Sequence, residues 1–280
     1  MGALVERLHG SDPSGATLWL DTVDYAGRLL ASGRPPWLDA AEFAAWQRKT
    51  HGLLGSDVAF VPVTPVVDAW LGAQPALVEA MRGRSRTVYP LKTLLADEAL
   101  RGHLTAMVRA LRGSVRAPVH ALTCPSPRDW VRRAYEVAHG AAIEVGDDEA
   151  DTAALYVADF LRTFGETGLD ALLLVESDAS DPGDATATAC YQSVLNVARN
   201  YRWDIGLALP GHRWDGAGAE VDFVVAPEPA VIHGAAGRVV PVDFWSGAEA
   251  PARAAGQFLF ATIPADCAPE LVLERLKLLR

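Results

Sequence analysis

Cysteine is scarce in this chain: Cys124, Cys190 and Cys267 are its only three. An odd, sparse set argues against a disulfide framework and suits a reducing cytoplasm. No two of them have the CxxC spacing of a zinc site, and no metal site is expected. No apolar run reaches the roughly 18 residues that a spanning helix needs, so no membrane contact is expected. The N-terminal stretch MGALVERLHGSDPSG lacks a basic region followed by an apolar run, and no secretory signal is visible. The expected location is therefore cytoplasmic. Positive charge is also in deficit, with 25 Lys and Arg against 35 Asp and Glu, a net charge of −10. Such a surface repels a phosphate backbone, so nucleic acid is not an expected partner. The densest basic stretch, Arg82 to Arg86, reads as a solvated loop, with an anion site as the competing reading. Internal repeats and low-complexity linkers are missing too, which leaves one domain over residues 1–280 as the expectation.

Half of the residues are hydrophobic and 21% are charged, enough apolar surface for a large core. Short apolar runs alternate with longer segments of helical period, the pattern of βαβ units around a parallel sheet. Eight such runs can be counted, at residues 17–21, 57–63, 118–123, 171–176, 204–209, 222–226, 238–243 and 257–263. Most are apolar throughout, as strands are when helices cover one side and a barrel core the other. Eight of them favour closure, so the expected fold is α/β, a (β/α)8 TIM barrel. Among the helices, Asp39 is a candidate N-cap with Gly55 as a stop. Further helices are expected over 94–111, 152–164 and 269–279, the last with Pro269 in its first turn. Residues 139–149 fit no core element and read as a surface excursion.

Six segments, in order, carry a likeness: ERLHGSDPSGATLWL, Ala26-Gly27-Arg28, LLGSDVAFVPVTPVVDAWLG, GLDALLLVES, VVPVDF and FATIPADCAPELVLERLKLL. Together they resemble the uroporphyrinogen decarboxylase superfamily over nearly the whole chain, a superfamily that includes cobalamin-independent methionine synthase-like barrels. The resemblance implies the uroporphyrinogen decarboxylase-like barrel fold. It also implies a homodimer as one assembly, since relatives often pair through their barrel mouths. The decarboxylase chemistry does not carry over. The position that matches the family's pyrrole-binding aspartate is Val63. The first arginine of its Arg-Gln-Ala-Gly-Arg motif is Asp24 here, which leaves Arg28 alone, and its late histidine falls near Ala261. The methyl-transferring branch needs His-x-Cys and a late cysteine. Here LALPGHRW has no such motif, and Cys267 lies several residues beyond the matching place.

Active sites of characterised barrels lie at the C-terminal strand ends. The candidates there are Asp21, Asp24, Tyr25 and Arg28 after the first strand, and His120 with Cys124 on the third. Glu176, Ser177 and Asp178 follow the fourth strand, His212 and Trp214 the fifth, and Asp243 and Trp245 the seventh. A strand-end carboxylate in a partly dry pocket is a common general acid or base. The expected catalytic groups are Glu176, Asp243, His120 and His212. Asp21, Asp24, Tyr25, Arg28, Ser177, Asp178, Trp214 and Trp245 are the expected substrate contacts. Each has a structural alternative: Asp21 and Asp243 as helix caps or partners of arginine, His120 as a satisfied core histidine, Cys124 as a small buried hydrophobe, and the acidic residues Glu176, Asp178, Asp181 and Asp184 as plain solvated surface in place of oxygen ligands for magnesium. The leading expectation is a cofactor-independent lyase, decarboxylase or isomerase acting on a small, partly apolar molecule. The alternatives are a corrinoid- or thiol-linked methyltransferase and a non-catalytic binding protein.

Overall fold

A computed structural model describes residues 4–6, 17–177, 186–209, 220–229, 231 and 235–280. All eight expected strands form: β1 (Leu18–Asp21), β2 (Val58–Pro62), β3 (Val119–Pro125), β4 (Ala171–Val175), β5 (Asp204–Ala208), β6 (Phe223–Ala226), β7 (Ala236–Val239) and β8 (Gln257–Thr262). They make one sheet in the order β1-β8-β7-β6-β5-β4-β3-β2, and every pairing is parallel. The result is a nearly closed barrel with helices outside it, the (β/α)8 architecture. Among the described residues no helix is long and apolar enough to cross a membrane.

The β1–β2 seam carries no ladder pairing and is stitched by two short polar side chains instead. The Asp57 backbone N–H donates to Leu18 O (2.8 Å), and the Leu18 N–H donates back to Asp57 Oδ2 (2.8 Å). Ser56 Oγ accepts from the Leu20 N–H (3.1 Å) and donates to Val58 O (2.8 Å). These bonds satisfy edge groups that would otherwise be left open.

Successive residues of a strand point to opposite faces. Trp19, Phe60, Ala121, Leu173, Ala208, Phe223, Val225 and Phe258 form one buried cluster, the barrel interior. Their neighbours Leu122, Cys124, Leu172, Leu174, Leu207 and Val224 belong to a second cluster with the helices. Aromatic rings fill the interior: Trp19 lies 6.1 Å from Phe60 and 6.3 Å from Phe258, and Phe223 lies 5.7 Å from Phe258. Two glycines give those rings room. A Cβ on Gly206 would sit 2.1 Å from the Phe223 ring, and one on Gly237 would sit 2.7 Å from that of Phe258. Each fully buried large side chain contributes about 1.5–3 kcal/mol. At the N-terminal end the interior is plugged by Leu4 and Val5, both buried, whose N–H groups donate to Asp204 Oδ2 (2.9 and 3.0 Å).

Several boundaries move for local reasons. The seventh strand, expected at 238–243, runs at Ala236–Val239. Pro241 has no N–H for a ladder, so Val242–Ser246 winds into a 3-10 turn behind it. The helix expected at 94–111 is two helices, Tyr89–Leu95 and Glu98–Ser114. They are divided where Asp97 caps the second by accepting from the Leu100 N–H (2.6 Å). The helix expected from Thr152 starts at Asp147, so the predicted surface excursion ends earlier than expected. The last helix, Pro269–Leu276, ends short of the expected Leu279. Asp39 caps Ala40–Leu54 as expected, accepting from the Ala41 and Glu42 N–H groups (2.9 Å each), and Gly55 ends it in the left-handed region.

Candidate active site

The interior changes character along the barrel axis. Trp19, Ala121, Leu173, Phe223 and Phe258 are buried. One step nearer the C-terminal end, the interior-facing Asp21, Thr123, Val175, Val239 and Phe260 are only partly buried, and Thr262, a further step along β8, is exposed. The described barrel is thus filled below and accessible at its mouth, where barrel enzymes keep their chemistry.

Among the described residues, Asp21 is the ionisable group that faces the interior in this mouth layer. It is the last residue of β1, in register with Thr262 and on the same face as Trp19. Its Oδ1 accepts from the Val23 N–H (3.2 Å), at the entry to the helix Val23–Ala31. That is its one hydrogen bond, and no cation forms an ion pair with it among the described residues. Burial pushes its carboxyl above the usual carboxylate range. The Val23 N–H opposes this, and the negative charge of Asp24 adds to it. A carboxyl whose pKa is raised is a stronger base than an ordinary carboxylate, the property that a general acid–base group needs.

Glu176 occupies a different environment. It continues β4, with its N–H on Ala208 O (3.0 Å), on the outward side with Leu172 and Leu174. It is 2% exposed. The Ser126 hydroxyl donates to Oε2 (2.8 Å) and the Tyr191 hydroxyl to Oε1 (2.5 Å). Ser126 also caps the helix Pro127–His139 by accepting from the Asp129 N–H (3.2 Å). Burial, followed by the Glu176 charge, pushes the Tyr191 hydroxyl far above its ordinary value. Glu176 is thereby a clamp between the end of β4, a helix N-terminus and the turn before the helix Gln192–Tyr201. Beside it, Asp129 pairs with Arg132 and accepts from the Ser177 N–H and, at 2.9 Å, from the Ser177 hydroxyl. Arg132 is thus already neutralised.

The other expected residues disperse. His120 is the second residue of β3, at the opposite end of the barrel, and it faces the helices. Its Nδ1 lies 3.1 Å from Arg112 Nη1 and its Nε2 3.1 Å from Val115 O. Burial, then Arg112, lowers its pKa, which favours the neutral ring. This is a satisfied structural histidine. Asp243 is exposed in the 3-10 turn and does not end a strand, because Pro241 ends the run before it. Trp245 is buried outside the barrel, its Nε1 donating to Thr262 O (2.9 Å). Tyr25 is buried with that same outer cluster. Asp24, Arg28 and Ser177 are exposed. Asp178, Asp181, Asp184, His212 and Trp214 lie outside the described residues.

The cysteines do not meet. Cys124 is buried against the helices, and burial pushes its thiol far up. Cys190 lies 3.8 Å from Arg128 Nη2, with burial again raising its pKa, and Cys267 sits after β8. Among the described residues no three His, Cys, Asp or Glu side chains converge where they could hold a metal ion.

Sequence reasoning misses Ser126, Asp129, Arg132 and Tyr191, whose roles depend on contacts across the rim. It also passes over Thr123, Phe260 and Thr262. A period-two count along β8, starting from the buried Phe258, is the signal that places Phe260 and Thr262 on the face of Asp21's neighbours. No family model matches the chain, and no curated protein matches it.

Proposed function

We propose that this chain is an enzyme that moves protons on a small, partly apolar organic molecule, a lyase or isomerase, with Asp21 as its acid–base group. One observation carries the reading: a carboxyl with no counter-ion among the described residues faces the accessible end of a barrel interior, and its pKa is raised by burial. An unneutralised carboxylate in such a place costs stability, and catalytic sites are where proteins retain that cost. Proton transfer therefore centres on Asp21 rather than on Glu176 and Asp243. Thr262, in register with Asp21, offers a hydroxyl to orient a substrate, and Phe260, in register with Trp19, offers an apolar wall. We place the chain with the uroporphyrinogen decarboxylase-like barrels on the order of its six segments. Val63, Asp24 and Ala261 separate it from that enzyme's own reaction.

The test works without an identified substrate. The protein is incubated with a pool of small metabolites in heavy water, and deuterium incorporation is followed by mass spectrometry. The expected result is one labelled compound with the wild type and none with Asp21→Asn. Equal labelling by both proteins, or none by the wild type, overturns the reading.

A further inference from the structure

The floor of the mouth combines two features that together select the charge of a ligand. Asp21 presents a carboxylate whose Oδ2 carries no hydrogen bond in the described structure. Phe260, partly buried, is the register neighbour of Trp19 on the adjoining strand, with the two rings 5.8 Å apart. Among the described residues, those facing the interior from Phe260 upward include Asp21, Thr123, Val175, Val239 and Thr262, and none of these is a lysine, arginine or histidine. Arg28 points to solvent on the following helix, and Arg132 is taken up by Asp129.

An anionic ligand entering this layer would meet an uncompensated carboxylate, with Asp24 adding to the repulsion. A cation would meet the reverse. Its ammonium could take the open carboxylate oxygen while facing the electron-rich surface of an aromatic ring, and both attractions strengthen as water is excluded. A second polar group asks for an acceptor, a part that an ammonium cannot play and that an oxygen elsewhere on the ligand, or a water, can. Trp19 is fully buried directly beneath Asp21 on the same strand face, and its indole Nε1–H finds no acceptor. A buried donor without a partner costs about 1–3 kcal/mol. A ligand or water oxygen reaching down from the mouth would remove that cost.

We infer that the substrate of this mouth is a small organic amine, bound with its ammonium on Asp21 and its apolar body against Phe260. The inference rests on the acid–base reading of Asp21 and narrows it to a substrate class. Three probes of one shape test it by calorimetry: benzylamine, benzyl alcohol and benzoate. Benzylamine should bind about tenfold tighter than benzyl alcohol, and benzoate weakest. Asp21→Asn should erase the preference for the amine. Phe260→Leu should weaken the amine more than the alcohol, which separates ring recognition from general packing. The inference is overturned if benzoate binds best, if the amine preference survives Asp21→Asn, or if the amine does not bind at about 10 mM, where a fragment of this size should register. Deuterium exchange that depends on Asp21, found alongside any of these, would keep the acid–base reading and discard only the amine.

Discussion

Replacing Glu176 tests whether this carboxylate belongs to the architecture or to the chemistry. The side chain is 2% exposed and accepts two hydroxyl hydrogen bonds, of 2.5 Å from Tyr191 and 2.8 Å from Ser126. Hydrogen bonds to a charged group contribute about 1.5–3 kcal/mol each, and a buried hydroxyl left without its acceptor costs about 1–3 kcal/mol. Tyr191→Phe removes one bond and its donor together, so about 1.5–3 kcal/mol should be lost. Glu176→Ala strands both hydroxyls and opens a cavity, and about 3–5 kcal/mol is expected. The double variant should show a coupling energy of about 1.5–3 kcal/mol. Urea unfolding followed by tryptophan fluorescence reads these values. With a slope near 3 kcal/mol/M, the top of the usual range, Tyr191→Phe should lower the midpoint by about 0.5–1 M. A coupling energy below about 0.5 kcal/mol would refute the clamp and return Glu176 to the candidates for catalysis.

Asp21 should have the opposite effect on stability. Its folded pKa is raised, so its contribution is complete below the ordinary carboxylate range and is lost as pH rises through the folded value. Asp21→Asn should therefore unfold at a higher urea concentration than the wild type at neutral pH. The gap should close on acidification, and a gap that widens toward low pH would contradict the assignment. Gly206→Ala forces a methyl to within 2.1 Å of the Phe223 ring and should cost about 1–3 kcal/mol in thermal unfolding, with part recovered in Gly206→Ala/Phe223→Leu. Asp204→Ala should release the amides of Leu4 and Val5, which bond to its carboxylate at 2.9 and 3.0 Å, and hydrogen exchange at the N-terminal peptide should rise sharply while that of β3 stays protected.

Much of the barrel is legible in the residues because the signals are local. Runs such as ALLLV and DIGLA leave little choice besides buried strands, and their alternation with helical segments implies parallel pairing. Asp39 and Gly55 mark helix ends through groups that bond within a few residues of themselves. The strand whose span shifts most, β7, shifts at Pro241, whose missing N–H is masked by the apolar neighbours of the run VVPVD.

What the chain alone determined was the set of strands and the end of the barrel to inspect. Which strand-end acids face the cavity was decided by the tertiary structure. A strand that is apolar on both faces carries no alternation, so nothing in ALLLVE tells whether Glu176 points in or out. Closure of the barrel turned Glu176 toward Ser126 and Tyr191, His120 toward Arg112 and Val115, and Asp21 toward the mouth. Those environments differ because burial, neighbouring charge and available donors are properties of packed neighbours, and the neighbours come from parts of the chain that only folding brings side by side.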